Sequence, residues 1–289
     1  MTNDLSLLLP EWQGYGLGAE VASGARAIAA LFGPDAFLEI EAPAAESLTV
    51  DAGVLGLSSI APRFERTLLA IRERAPSRIF TVGGTCGVAL GPVSYLNERY
   101  RGDLAVIWLD AHADLNTPET SPSGRFHGMV LRTLLGAGPA SLVRLISRPL
   151  APPQVVLAGA RDLDRDEALF VSDTAVSLLA PADLLVPDRL AGRIRAGGFT
   201  RAYVHLDLDV IDPIEFPDSL VHAANGVSIE VVTDTVRHLV STIDVVGFSV
   251  VEFRPRSADG PTRVGHLLDR CGIDIGVLGG RAGAARPRP

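Results

Sequence analysis

Three short polar segments carry the residues that could do chemistry in this chain. The first reads Asp-Ala-His-Ala-Asp-Leu-Asn over residues 110–116, the second Asp-Leu-Asp over 207–209, and the third Gly-Gly-Thr-Cys over 83–86. Together they offer four carboxylates, one imidazole and one thiol. Each segment follows a short, strongly apolar run, so each is predicted to lie at the end of a buried strand.

Four carboxylates that converge in a buried site need cations, because each charge disfavours ionisation of the others. A pair of divalent metals satisfies the whole set, and two ions that share carboxylates can activate one water molecule. Carboxylate and imidazole donors suit manganese, iron or zinc, and the carboxylate excess favours manganese. The sequence therefore predicts a pair of divalent ions, with manganese favoured over iron and zinc. An Asp-x-His or Asp-x-Asp segment by itself is more often an ordinary turn or helix cap. The prediction therefore depends on residues 110–116 and 207–209 lying close together in the folded chain.

The elements that must position these segments alternate between strands and helices. Short apolar runs predict strands at Leu5–Leu9, Arg78–Val82, Leu104–Leu109, Gln154–Ala158, Ala175–Leu179, Ala202–Leu206 and Val245–Val250. Longer amphipathic stretches predict helices at Ala19–Leu31, Pro62–Arg74, Gly87–Arg99, Gly128–Leu135, Pro187–Ala196 and Ser228–Ser241. Such alternation is typical of βα units with a parallel sheet, in which sites form at the carboxyl ends of strands.

Composition narrows the class of protein. The chain has 289 residues, of which 47% are hydrophobic, and this predicts one large folded domain. A formal charge of −8 argues against nucleic acid or an anionic membrane as a partner. All 26 basic residues are arginine, which excludes Schiff-base lysine and pyridoxal-phosphate chemistry. Two cysteines make no disulfide scaffold, and the N-terminal segment lacks a signal-peptide pattern, so we expect a cytoplasmic protein.

Four motifs, in order, resemble those of the arginase/agmatinase (ureohydrolase) family. They are residues 110–116, Ser123-Gly-Arg-Phe-His-Gly-Met129, His205-Leu-Asp-Leu-Asp-Val-Ile-Asp-Pro213 and Val251-Glu-Phe-Arg-Pro255. The resemblance spans about Leu5 to Glu252. It implies a three-layer α/β/α sandwich with a mostly parallel eight-stranded sheet, formed by a single catalytic domain over residues 1–278. It also implies hydrolysis of a guanidino group with two manganese ions, and a homo-oligomer (trimer or hexamer). Residues 279–289 have no apolar period, which predicts a mobile tail.

The resemblance assigns the metal ligands residue by residue. Asp110 and Asp207 would bridge the two ions, Asp114 would bind the first ion, and His112 and Asp209 would bind the second.

Cys86 departs from the family pattern. The family has Gly-Gly-Asp-His where this chain has Gly-Gly-Thr-Cys, so Cys86 stands where a histidine ligand of the first ion is expected. A thiolate ligand would weaken the Lewis acidity of that ion and favour softer metals. The alternative is a small, inert, buried cysteine beside a site that is partly lost.

Two further residues are candidates for the chemistry itself. By resemblance His127 moves protons to the departing amine, together with Asp114, which suits a side chain whose ordinary pKa is ~6.5. Glu252 holds the guanidino group, because a carboxylate can pair with a planar N–H fork. The alternatives are a helix-terminal histidine without chemistry and a surface ion pair of Glu252 with Arg254 or Arg256. His205 is assigned no role.

The substrate end of the site points to an amino acid. Asn116 and Ser123 match family residues that hold a substrate α-carboxylate, and Asp164 matches one that holds the α-amine. Two changes complicate this prediction. Arg125 replaces a neutral residue, and residues Phe216–Asn225 lack the Thr-Pro-Gly-Gly character of relatives.

The sequence therefore predicts a guanidino amino acid as the small-molecule partner. The altered ligand and loop favour a modified guanidine, with Nω-hydroxy-L-arginine, ornithine and hydroxyurea as substrate and products, as in family members of antibiotic biosynthesis. The alternatives are arginase, agmatinase or formimidoylglutamase activity, and a non-catalytic relative that binds one metal or none.

Overall fold

A computed structural model describes residues 3–16, 19–41 and 48–273. The strands are β1 (Asp4–Leu9), β2 (Leu38–Glu39), β3 (Val50–Asp51), β4 (Val54–Leu55), β5 (Arg78–Gly83), β6 (Ala105–Leu109), β7 (Val155–Ala158), β8 (Ser177–Leu179), β9 (Arg201–Asp207) and β10 (Asp244–Val251). The helices are α1 (Glu20–Ala30), α2 (Leu57–Arg74), α3 (Leu90–Arg99), α4 (Val130–Leu134), α5 (Ala140–Val143), α6 (Arg165–Asp173), α7 (Pro187–Ala196), α8 (Ile229–Thr242) and α9 (Gly260–Arg270).

Eight of the strands form one parallel sheet in the order β2-β1-β5-β10-β9-β6-β7-β8. The short strands β3 and β4 make a separate antiparallel pair. The central strands are apolar on nearly every residue because both faces of the sheet are covered. On β1, Leu7 packs with the core under α2 and α3, whereas Leu8 packs with the core under α1, α7, α8 and α9. The predicted three-layer α/β/α sandwich is confirmed.

The seven predicted strands are all present, and β2 is the eighth member of the sheet. Two residues are too few to give a period in the sequence, which is why β2 was not predicted. The tail predicted over residues 279–289 lies outside the described residues. In the part of the chain that the structure describes, none of the helices has the length and apolar character needed to cross a membrane.

Helix α2 corrects one predicted boundary. The expected start at Pro62 is wrong, because the helix begins at Leu57 and carries Pro62 inside it. The first turns bury Leu57 and Ile60, and this apolar contact outweighs the hydrogen bond that the proline cannot make.

Three helices, α5, α6 and α9, were not predicted. Helix α9 opens with Gly260 and Pro261, which suggest a loop, although proline in the first turn lacks only an N–H that has no helical partner there.

Candidate metal centre and substrate cleft

The candidate ligands lie at the carboxyl ends of the four central strands. Cys86 opens a short 3₁₀ turn after β5, and Asp110 directly follows β6. Asp207 is the last residue of β9, and Glu252 directly follows β10. Since these strands are neighbours in the order β5-β10-β9-β6, segments that are far apart in sequence meet at one edge of the sheet.

Among the residues that the structure describes, three groups of side chains bring donor atoms within 4.8 Å of one another. The first group contains one thiol, one imidazole and two carboxylates, the second contains one imidazole and two carboxylates, and the third contains three carboxylates. They are Cys86, Asp110, His205 and Asp207; Asp110, His112 and Asp209; and Asp207, Asp209 and Glu252. Shared members link the groups, so the donors form one continuous cluster.

Main-chain hydrogen bonds orient the carboxylates. The N–H of His112 donates to Asp110 Oδ1 at 2.7 Å, and the N–H of Asp209 donates to Asp207 Oδ1 at 2.8 Å. The N–H of Ala111 donates to Asp209 Oδ1 at 3.0 Å. The second oxygen of Asp110 is buried without a hydrogen-bond partner. A buried carboxylate oxygen without a donor is costly, and a cation would satisfy it.

Asp114 lies beside the cluster and outside the three groups. It lines the adjoining cleft, and its Oδ2 is also buried without a hydrogen-bond partner. Its backbone is left-handed, with φ of 52°, and so is that of Glu252, with φ of 61°. Such conformations are rare for residues other than glycine and often occur at functional sites.

Burial and mutual repulsion dominate the electrostatics of the carboxylates. Burial, and then the charge of Asp209, raises the pKa of Asp110 to about 7. Burial and neighbouring carboxylates raise the pKa of Asp114 and of Asp207 well above the ordinary value. Without cations these groups hold protons, so metal binding is expected to release protons.

His112 and Asp209 form an ion pair within the cluster, with Nδ1 and Oδ2 2.9 Å apart. Burial alone would lower the pKa of His112, but hydrogen bonds and charges from Asp110 and Asp209 outweigh it and raise the pKa to about 12. The same pairing overcomes burial at Asp209 and lowers its pKa. The proton on His112 occupies the place that a cation would take.

Cys86 faces the cluster. Its side chain is buried, and its sulfur lies 3.2 Å from Asp207 Oδ2 and 3.4 Å from Glu252 Oε1, either of which can accept its one S–H. Burial, followed by the charges of the surrounding carboxylates, raises the pKa of Cys86 well above the ordinary value. The sulfur is thus a thiol in the metal-free chain, and it lies where a bound cation would meet it.

His127 and Glu252 form a pair at the edge of the cluster. His127 Nδ1 lies 3.0 Å from Glu252 Oε1, the same oxygen that lies 3.4 Å from the Cys86 sulfur. The imidazole lies in a 3₁₀ turn, Phe126–Met129, and its main-chain N–H donates to Gly14 O at 3.1 Å. Glu252 is only 1% exposed, and its carboxylate faces His127, so it does not form the surface ion pair with Arg254 or Arg256 that was considered as an alternative.

The predicted substrate residues line a cleft of about 270 Å³ that opens from the cluster. Asn116 Nδ2 donates to Asp164 Oδ2 at 2.8 Å, so two of them are in direct contact. Ser123 is exposed at the mouth, and its hydroxyl accepts from the main-chain N–H of Arg125 at 3.2 Å. The cleft has the polar groups that an amino acid would need at its α-carbon.

The mouth of the cleft also contains Tyr15, which sequence reasoning did not single out. The guanidinium carbon of Arg125 lies 4.4 Å from the Tyr15 ring centroid, and the edge of that ring meets the His127 ring at 5.1 Å. Arg125 therefore joins the cleft lining by stacking on an aromatic face.

Arg161, another residue without a predicted role, holds the loop Phe216–Asn225 by hydrogen bonds to its main chain. The Arg161 guanidinium donates to Ala223 O at 2.8 Å and to Ala224 O at 2.9 Å in the loop. It also donates to Asp209 O at 2.8 Å, next to the cluster. The loop is thereby fastened to the ligand segment, and its Val221 lines the cleft.

Glu11 is a third residue that the sequence motifs did not reveal. It is buried after β1, where Thr85 Oγ1 donates to its Oε2 at 2.5 Å and Arg63 Nη2 lies 3.2 Å from the same oxygen. The family motif has an acidic residue at position 85, and here the carboxylate reaches Thr85 from a different strand. Its position at the carboxyl end of a strand is the one signal that could have identified it.

The sequence of this chain is similar to those of known arginases. A model described as the arginase family matches residues 29–265. The arginase of Staphylococcus aureus (strain COL) is 35% identical over 178 residues, which are 57% of this chain and 58% of the relative. The arginase of Bacillus subtilis (strain 168) is 33% identical over 195 residues, 63% of this chain and 64% of the relative. In both alignments this chain covers less than two thirds of the relative's length.

Solved structures extend the similarity over nearly the whole chain. The arginase from Bacillus caldovelox superposes with a TM-score of 0.84 at 25% identity and covers 94% of this chain and 98% of its own. The Entamoeba histolytica arginase, solved with L-ornithine, gives a TM-score of 0.83 at 20% identity and covers 93% and 97%. The fold and the cluster define a parallel α/β protein with a candidate metal site at the carboxyl edge of its sheet. The chain belongs to the arginase family.

Proposed function

We propose that this protein is a dinuclear metal-dependent amidinohydrolase, with Nω-hydroxy-L-arginine as its substrate and L-ornithine and hydroxyurea as products. The observation that carries the proposal is the position of Cys86, whose sulfur lies in a donor group with two carboxylates at the site where the family motif has a histidine. An enzyme of this kind would act in an antibiotic pathway such as D-cycloserine biosynthesis.

The donor set fits divalent ions, because the buried oxygen of Asp110 lacks a hydrogen-bond donor and burial with mutual repulsion raises the pKa of Asp110 and of Asp207. When bound, such ions would lower the pKa of a water molecule and polarise the guanidine. Six residues are proposed to hold two Mn²⁺ ions: Cys86, Asp110, His112, Asp114, Asp207 and Asp209.

The chain's own residues would then orient the substrate and move the proton. Glu252 presents a carboxylate to the guanidino N–H groups, and His127, 3.0 Å from that carboxylate, delivers a proton to the departing amine. Asp114 shares the handling of this proton. Asn116, Ser123 and Asp164 hold the α-carboxylate and α-amine at the far end of the cleft.

Cys86 is proposed to decide which guanidine reacts. A thiolate brings a negative charge to a position where an imidazole is neutral, and it softens the ion beside it. The hydroxyl of an N-hydroxyguanidine lowers the basicity of the group and offers an oxygen that could bind a metal. A softened ion is expected to tolerate that oxygen better than an ion with a histidine ligand.

Arginase activity is the second candidate, and the curated relatives named arginase favour it. The same carboxylates, His127 and Glu252 would serve L-arginine, with urea as the product. Among the proposed ligands, Cys86 is the residue whose identity bears on the choice between the two substrates.

Product analysis of the manganese-loaded enzyme tests the proposal. Wild type should release hydroxyurea from Nω-hydroxy-L-arginine faster than urea from L-arginine. Cys86→His should raise the ratio of kcat/KM for L-arginine over that for Nω-hydroxy-L-arginine by about 10-fold or more, roughly 1.4 kcal/mol of relative transition-state stabilisation. Cys86→Ser is the matched control, since it removes the sulfur without adding an imidazole.

Other outcomes select the alternatives. Faster turnover of L-arginine by wild type identifies an arginase, and strong turnover of agmatine alone identifies an agmatinase. Metal binding without any product identifies a non-catalytic relative.

A further inference from the structure

His205 lies in the middle of β9 and is fully buried. Its ring stacks on Trp108 of the neighbouring strand β6, with centroids 3.6 Å apart and an angle of 14° between the planes. On the other side, His205 Nδ1 lies 2.9 Å from the hydroxyl oxygen of Ser249 on β10. Both neighbours are at the same register as His205, so the sheet itself fixes the orientation of the ring.

The second ring nitrogen, Nε2, has no hydrogen-bond partner. A neutral imidazole carries one N–H and one lone pair. If Nδ1–H donates to Ser249, the lone pair of Nε2 is available to a cation.

A ring nitrogen of His205 also lies within 4.8 Å of the Cys86 sulfur and of a carboxylate oxygen of both Asp110 and Asp207. His205 and Asp207 are two residues apart on a strand, so their side chains are on the same face of the sheet. A buried ring nitrogen without a hydrogen-bond partner is costly, and a cation held by the neighbouring sulfur and carboxylates would satisfy it.

We propose that His205 is a ligand of the ion held by Cys86. This inference rests on the proposed metal-dependent function and deepens it. The imidazole that the segment 83–86 lacks would come from β9, which is separated from β5 by β10. One sulfur, one nitrogen and the carboxylates of Asp110 and Asp207 would hold the ion, with Asp114 beside them. Such a set favours a borderline-soft divalent cation, such as zinc, ferrous iron or cobalt, at this position. The ion between His112 and Asp209 keeps the harder donors.

The competing explanation is a purely structural histidine, held by Trp108 and Ser249. A histidine of that kind would affect folding, but its removal would leave metal stoichiometry and ligand geometry unchanged. The coordination of a bound ion therefore separates the two explanations.

Cobalt titration of the metal-free protein provides the test. Wild type should bind two equivalents of Co²⁺, with a sulfur-to-cobalt charge-transfer band from Cys86 and visible bands of four-coordinate intensity. His205→Gln should weaken one equivalent by at least about 10-fold, as loss of even an outer-sphere partner does, and should shift the charge-transfer band. His238→Gln, on helix α8 and away from the cluster, is the matched control and should resemble wild type.

X-ray absorption of the unaltered zinc or cobalt protein gives a second readout that does not depend on a variant folding. The inference requires two imidazole nitrogens per pair of ions, from His112 and His205. A fit with one imidazole overturns it, as does a His205→Gln protein that keeps both equivalents and an unshifted band, or a wild-type protein without the sulfur band.

The inference and the proposed function fail separately. If two imidazoles are found but neither L-arginine nor Nω-hydroxy-L-arginine is hydrolysed, His205 is a metal ligand and the proposed enzymatic function is wrong. If hydroxyurea is released but only one imidazole is found, the proposed function holds and His205 is not a metal ligand.

Discussion

At the residue scale, Glu252 is the point where the candidate catalytic groups meet. One of its oxygens lies 3.4 Å from the Cys86 sulfur and 3.0 Å from the His127 imidazole. The left-handed backbone at Glu252 is held by two hydrogen bonds, from its own N–H to Gly84 O and from Leu220 N–H to its carbonyl, both 2.8 Å long. The carboxylate is thus fixed between the thiol and the imidazole before any substrate binds.

This arrangement makes His127 a test of proton transfer that is separate from metal binding. His127→Asn should lower kcat by about 10²–10⁴-fold, since the variant keeps a polar side chain and loses the acid–base group. Metal content, measured by elemental analysis, should stay at the wild-type value because His127 belongs to none of the three donor groups. Unchanged kcat in a fully loaded variant would remove His127 from the chemistry.

At the scale of elements, the segment after β1 supports the turn that bears Cys86. Gly84 lies so close to this segment that an added Cβ would be 1.7 Å from Glu11 O. Glu11 itself accepts from Thr85 and pairs with Arg63 of α2, which is also buried. Burial, and then the charge of Arg66, lowers the pKa of Arg63 to about 9. Through its ion pair with Arg63 and its hydrogen bond from Thr85, Glu11 joins the end of β1 to α2 and to the turn that bears Cys86.

Glu11→Gln should destabilise the protein by about 3–5 kcal/mol, because it leaves the Arg63 cation buried without its partner. Urea unfolding followed by circular dichroism measures the loss. The double variant Glu11→Gln with Arg63→Met should recover part of it, since no charge is then buried alone.

The control is Asp244→Asn, which breaks the exposed pair with Arg78 at 2.8 Å and should have a much smaller effect. Equal losses in the exposed and buried variants would show that the buried pair has no special role.

At the scale of the whole molecule, the cluster links stability to pH and to metal. The pKa of Asp110 is raised from 3.8 to about 7, so folding favours its protonated form. This contribution is fully present below about pH 4 and is lost as the pH rises through about 7. The raised pKa of His112 acts in the same direction, because its contribution is fully present below about pH 6.5 and falls as the pH rises from there towards about 12.

The metal-free protein should therefore melt at a lower temperature at pH 8 than at pH 5. Added manganese should raise the melting temperature more at pH 8, because the cations then replace protons that have already left. Thermal melts with a chelator and with manganese at both pH values measure this. A metal-free protein that gains stability from pH 5 to pH 8 would contradict it, and Asp110→Asn should reduce the pH dependence.

The sequence by itself determined the parallel α/β class and the position of the candidate ligand segments. Asp110, His112, Asp207 and Asp209 were predictable because each pair has i, i+2 spacing directly after an apolar strand, and local periodicity reveals where strands end. His205, Glu11 and Arg161 were not predictable, because their hydrogen-bond partners lie 44 to 74 positions away, across strands whose order the sequence does not state. Only the tertiary structure decides that β5, β10, β9 and β6 lie side by side, since strand order follows from the packing of two apolar cores over the whole chain.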